Sequence, residues 1–251
     1  MSLISFISKP GGAPVALLEL PGVTTPLHRA APRPFEPRGF KRREFENRDV
    51  HGYLSLKENR PVEVDGVPAT AVGLALECNP QVAAYTERPR YLPAGEETVE
   101  LDFWVRHTSG LEEFVLIAGD GQCAGFGAGV PRPREAERLQ AAADAAGINL
   151  VFVVETFVRQ AGVQAAVHNR LLAFAQVAQD LPHRLALRQR IADHVRAQAR
   201  TRIDQLEIAL VPFNAGDVQA VACELVCLGL LDIDHDVELT RNSVLTWAGV
   251  S

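Results

Sequence analysis

Carboxylates crowd residues 96–113. Glu96, Glu97, Glu100, Asp102, Glu112 and Glu113 flank two segments that read as a β-hairpin. Acids on adjacent strands can grip one Mg²⁺ between two oxygens, as metal-dependent nucleases do. The same density arises on any hairpin that faces solvent. Asp102 stands apart, because Leu101, Phe103 and Trp104 surround it with apolar sequence. A second acidic set, DIDHD at 232–236, places three aspartates around His235. It lacks the ligand spacing of an EF-hand loop and falls in a turn, where solvation alone explains it. The four cysteines, Cys78, Cys123, Cys223 and Cys227, form no CxxC pair. Cys223 and Cys227 lie one helical turn apart in an apolar stretch and read as buried free thiols.

The basic residues form a second chemical group. Residues 28–60 hold nine Lys/Arg against five Asp/Glu, whereas residues 61–120 hold three against eleven. Residues 121–251 are nearly balanced, with twelve against fourteen. Arg38, Lys41, Arg42, Arg43, Lys57 and Arg60 therefore make a local cationic cluster on a chain of net charge −6. Such a cluster suits contact with a phosphate backbone. Its bland counterpart is a solvated arm. Lysine occurs only at positions 9, 41 and 57, so no lysine chemistry is open to the last three quarters of the chain. Nucleotide-loop, zincin and nucleophile-elbow motifs are all missing.

Positioning these groups falls to a chain of 251 residues with 47% hydrophobic and 22% charged residues. That composition is globular and excludes a disordered, collagenous or disulfide-miniprotein class. No apolar run reaches the ~18 residues of a membrane span. The N-terminus lacks a basic lead and is broken by Pro10, Gly11, Gly12 and Pro14. It predicts no signal peptide, and hence a cytoplasmic protein with no membrane partner.

Along the chain, residues 1–37 read as a Pro/Gly-rich arm or linker. GYLSLKE (52–58) alternates weakly and reads as a short strand or a turn. A helix is predicted over 67–79, stopped by Asn79–Pro80. Strands follow at 81–87, 99–106 and 112–119, the last two as a hairpin. Alternation in 99–106 puts Val99, Leu101, Phe103 and Val105 on one face, with Glu100, Asp102, Trp104 and Arg106 on the other. A helix over 131–146 ends at Gly147, and a buried strand covers 148–156. Beyond 163 come helices at 163–178, 185–210 and 215–231, then two short extended segments. The fold class is therefore α/β followed by an all-helical or winged-helix end.

A family resemblance runs through these elements. The segments GYLSLKENRPVEVDG, ALECNPQVAAYTERP, VELDFWV and EEFVLIAGD resemble the TnsA-type transposon endonucleases. Ser55, Leu56, Lys57 and Arg60 match that family's opening motif, G-x-x-S-L-K-x-x-R. Leu76, Glu77, Pro80, Val82 and Pro89 match its middle segment. Asp102 and Phe103 match its P-D-F strand, with Leu101 for the proline. AAGINLVFVVE resembles its next strand, and LVCLGLLDIDHDVELTRNSVLTW its winged-helix end. The resemblance spans roughly residues 38–251.

It implies a restriction-endonuclease-like domain at 38–165 and a winged-helix-like partner-binding domain at 166–251. It also implies work on transposon-end DNA, beside a DDE transposase (TnsB-like) and an AAA+ regulator (TnsC-like). Family members cut the 5′ ends with metal ions held by a glutamate, an aspartate and an E/Q-x-K strand. Here Ala69 stands at the helix glutamate, Asp65–Gly66 at an E-S pair, and Leu116-Ile117-Ala118 at the E/Q-x-K strand. Asp102 alone keeps its chemistry. A lone carboxylate is a weak Mg²⁺ site, and no lysine remains to stabilise charge on phosphorus. The expectation is a catalytically inactive pseudonuclease that needs no cofactor and binds DNA through Arg38, Lys41, Arg42, Arg43, Lys57 and Arg60. Two alternatives stay open. One is an active Mg²⁺ endonuclease with migrated ligands, Asp102 with Glu77 or Glu113. The other is a stand-alone winged-helix DNA-binding regulator.

Overall fold

A computed structural model describes residues 34–125 and 131–248. Most of the 1–37 arm lies outside the described residues. The chain is mixed α/β, with eight α-helices and several small sheets among the described residues. It divides into two compact units. Among the described residues, the first holds those up to Gly73 together with those of Gln81–Gln160, and the second holds Leu74–Pro80 and those from Ala161 onward. The C-terminal part of the second unit begins at Ala161, and Leu74–Pro80 joins it.

The first unit opens with α1 (Arg42–Asn47) and a hairpin of β1 (Val50–Ser55) and β2 (Arg60–Asp65). The sequence predicts only one strand here. The hairpin turn is made possible by Asn59 at φ 49°, a left-handed position that asparagine tolerates. The helix α2 (Gly66–Cys78) follows with Ala69, Ala71, Val72, Leu74, Ala75 and Leu76 buried. It is buried nearly all round, so its sequence carries little amphipathic signal.

The central sheet has strand order β3 (Val82–Glu87), β6 (Phe103–His107), β7 (Glu112–Ala118), β10 (Leu150–Val154). The first three run antiparallel to their neighbours, and β10 lies parallel to β7. A parallel neighbour needs a crossover, and α3 (Ala136–Ala145) supplies it. Leu139 and Ala143 of α3 pack against Trp104, Phe114, Leu116 and Leu150. The unit's core order is therefore helix, three strands, helix, strand.

The expected strand over 99–106 divides in two. β4 (Tyr91–Ala94) and β5 (Glu97–Glu100) form their own hairpin, and the chain bends at Leu101 and Asp102 before entering β6. The predicted alternation fails there for a physical reason. Phe103, Trp104 and Val105 are all fully buried, so the sheet is covered on both faces and apolar residues run consecutively. Two-residue strands β8 (Cys123–Ala124) and β9 (Arg132–Pro133) and a short helix α4 (Glu155–Gln160) complete the unit.

The second unit holds α5 (Gly162–Gln179), α6 (Arg184–Gln198), β11 (Arg200–Arg202), α7 (Ile203–Ala209), α8 (Ala215–Cys227), β12 (Leu231–Asp232) and β13 (Val244–Trp247). β13 lies between β11 and β12, antiparallel to both. The helix predicted over 185–210 is not continuous. Ala199, at φ 62°, ends α6, and β11 turns the chain into α7. The periodicity carried across this break because Leu187, Ile191, Val195 and Ile203 are all buried on either side of it. The third predicted helix ends at Cys227, short of 231, where Gly229 adopts φ 71°.

Candidate functional site

Asp102 sits at the bend that leads into β6, tied to β7 and to the β3–β4 connection. Its Oδ2 accepts the Ile117 N–H at 2.6 Å. Its own N–H donates to Val115 O at 2.9 Å, and its carbonyl accepts the Arg88 N–H at 2.7 Å. The carboxyl is pushed up to about 7. Burial is the main cause, the charges of Glu100 and Asp65 add to it, and the Ile117 N–H opposes it. This aspartate can hold a proton near neutral pH while keeping one oxygen on the backbone.

The acids that Asp102 feels are not free. Glu100 Oε1 accepts from Arg38 Nε at 2.7 Å and Arg88 Nε at 2.9 Å, and Arg48 stands 3.6 Å from its other oxygen. Arg48 also bridges Asp65 at 2.9 Å. Glu44 of α1 joins the same group, meeting Arg38, Arg88 and Arg48. Its carboxyl is held low, first by the Lys41 N–H and then by Arg38 and Arg48. Arg88 is itself buried, at a left-handed φ of 46°, with its guanidinium 3.7 Å above the Phe40 ring. Sequence reading singled out Arg38 for DNA and did not foresee this group. Glu44 three residues after Lys41 is the helix-start signal that would have pointed to part of it.

The remaining candidate acids lie elsewhere. Glu113 is buried and takes hydrogen bonds from His107 and Asn149 at 3.1 and 3.2 Å. The β6/β7 register pairs Phe103 with Val115 and Val105 with Glu113. Asp102 therefore falls opposite Leu116 and on the other sheet face from Glu113. Glu113 is also four residues along β7 from Ile117, a run of ~13 Å. The structure does not bring these two acids together. Glu77 is buried and belongs to the second unit, whereas Asp102 belongs to the first. Ala69, Leu116 and Ala118 are buried aliphatic positions. Leu116 packs with Trp104, Phe114 and Leu139, and Ala118 with Cys123 and Val154. Among the described residues no three His, Cys, Asp or Glu side chains are grouped to hold a metal ion.

Compared with protein-family models and with curated proteins, the chain finds no match in either.

The basic cluster divides by burial. Lys41, Arg42 and Arg43 are exposed at the start of α1, where Arg42 makes only a loose 3.6 Å bridge to Glu46. Arg38 is engaged by Glu100 and Glu44. Arg60 is held bidentately by Glu87 at 2.5 and 2.6 Å, and Lys57 is buried. Three of the six predicted cations thus remain presented to solvent. Of the other three, Arg38 and Arg60 pair with the unit's own carboxylates, and Lys57 is buried.

In the second unit, α8 is the helix that a helix-turn-helix would place in a DNA groove. Nine of its 13 residues are buried, and α5 packs along it. Glu224, at 1% exposure, accepts from Gln179 and Arg188 at 2.7 Å and bridges Arg184 at 2.5 Å. Asp232, at the end of β12, and Asp234, Asp236 and Glu238, in the β12–β13 connection, are exposed. His168 is fully buried beneath it, its ring 5.2 Å from that of His235, with neither nitrogen hydrogen-bonded. Burial, and secondarily His235, lower it to about 3.

Proposed function

We propose that this chain is a TnsA-like subunit of a Tns-type transposition complex that keeps a nuclease scaffold without its catalysis. One observation carries the reading. Asp102, which the resemblance matches to the nuclease aspartate, lies at the bend before β6, and the positions the resemblance assigns to its partners, 69, 116 and 118, are packed aliphatic core. Its remaining anionic neighbours are neutralised by Arg38, Arg48 and Arg88. A carboxylate in that setting orders strands and does not activate water. The helix, three-strand, helix, strand order of the first unit supports a restriction-endonuclease-like scaffold. The helix–strand–helix–helix–strand–strand order from α6 to β13 supports a winged-helix end.

In this reading, Lys41, Arg42 and Arg43 meet the phosphate backbone of transposon ends. The second unit docks on the transposase or the AAA+ regulator, within the cytoplasm. The 3′ cuts belong to the DDE transposase, and this subunit makes none. The stand-alone regulator is disfavoured, because nine of the 13 residues of α8 are buried and an acidic β12–β13 connection repels phosphate. An active enzyme keeps one point in its favour: Asp65 and Glu100 lie close enough to raise the proton affinity of Asp102.

The test is a pull-down from cells carrying the intact element. Recovery of transposon-end DNA together with the transposase or AAA+ protein is expected. Recovery of neither contradicts the proposal.

A further inference from the structure

Cys78 and Cys227 are the last residues of α2 and α8, and both lie in the second unit. Their sulfurs stand 3.9 Å apart. Cys78 Sγ also lies 3.6 Å from His168 O, which fixes its direction. The chain just beyond each cysteine is held equally close. A Cβ added at Gly229 would fall 2.3 Å from Pro80 Cβ, so the chain beyond each helix end is closely packed, Gly229 against the Pro80 ring. The thiols face each other because the fold requires it there.

The other two cysteines do not share this geometry. Cys223, one turn earlier on α8, is 1% exposed, and burial pushes its thiol far up, out of reach of thiolate chemistry. Cys123 lies in the first unit. Cys227, at 9%, is more open than Cys78 at 2%. It is the sulfur that a small oxidant meets first.

We propose that Cys78 and Cys227 are a redox pair that closes to a disulfide under peroxide. The Cys227 thiolate attacks a peroxide oxygen, the O–O bond breaks, and a sulfenic acid forms while the released hydroxide takes a proton to become water. The Cys78 thiolate then attacks that sulfur. The S–O bond breaks, the S–S bond forms, and a second water leaves. Two thiols lose two electrons in all, and one peroxide gains them. The sulfurs must approach by about 1.9 Å to reach bonding distance, a displacement that small χ1 rotations on both residues share. In a reducing cytosol the pair stays open, so closure reports oxidative conditions. The crosslink joins residues 149 apart in sequence and restrains the unfolded chain.

The test treats the full chain with hydrogen peroxide, blocks residual thiols with an alkylating agent, and maps peptides by mass spectrometry. A Cys78–Cys227 peptide lighter by two hydrogens, reversed by dithiothreitol and accompanied by a higher Tm, is expected. C227S abolishes it, and C223S, which keeps both partners, retains it. Retention in C223S also guards against a C227S variant that merely misfolds. Both thiols remaining alkylatable after peroxide, or a crosslink between other cysteines, overturns the proposal.

Discussion

At the residue scale, Asp102 and His168 make opposite predictions about pH. Asp102 has an ordinary value of 3.8 and rises to about 7 in the folded chain. The folded state therefore binds its proton more tightly than the unfolded state, and stability falls as pH rises from about 4 to 7. Asp102→Asn removes that penalty while its amide oxygen still accepts the Ile117 N–H. We expect the variant to exceed the parent by on the order of 2 kcal/mol at pH 8 and to match it near pH 4, read by urea denaturation at both pH values. His168 works the other way. Its value falls from 6.5 to about 3, so the unfolded state binds the proton first. Above pH 6.5 its burial adds no pH-dependent cost, and stability drops by about 1.4 kcal/mol per pH unit below it. His168→Leu should flatten the acid limb of a stability-versus-pH curve. An unchanged limb would mean that His168 is not the group that titrates.

At the element scale, what was legible in the sequence depended on how many faces an element buries. β7 and β10 read directly from their apolar runs, and α5 from its helical spacing. α2 was found through Pro68 and the Asn79–Pro80 stop, not through amphipathicity, because it is buried nearly all round. β2 and β4 were missed and β5 was merged with β6, since short hairpins rest on turn geometry, at Asn59 and Gly95, more than on a pattern. The break between α6 and α7 was hidden for a related reason. Ile203 continues the apolar stripe of α6 across a strand, and only the left-handed Ala199 betrays the turn. Of the candidate site, Asp102 was legible from its apolar neighbours. The arginine–carboxylate group was not, because its members come from α1 and the residues flanking it, from β2 and β5, and from the β3–β4 connection. α8 offers a test at this scale. Glu224 holds two arginines and Gln179 from a buried position, so Glu224→Ala strands guanidinium charge against the core. A loss of about 3–5 kcal/mol in urea denaturation is expected.

At the scale of the whole molecule, the proposed function gives DNA contact to α1 and partner docking to the second unit. Only three of the predicted cations are free for phosphate, all at the start of α1. Neutralising them together, as Lys41→Gln, Arg42→Gln and Arg43→Gln, should weaken binding to any DNA sequence alike. The slope of log K against log salt should fall by about 2–3, which a salt series of fluorescence anisotropy titrations measures. An unchanged slope would move the DNA contact away from α1. The central claim, that the nuclease scaffold persists without its chemistry, is tested by cleavage. Plasmid and transposon-end substrates would be incubated with this chain and Mg²⁺ or Mn²⁺, with and without the cognate transposase and AAA+ protein, beside Asp102→Ala. The account predicts no 5′-end cuts from this subunit, with DNA or partner binding intact and indifferent to Asp102→Ala. Metal-dependent 5′ cleavage that disappears in Asp102→Ala would contradict it.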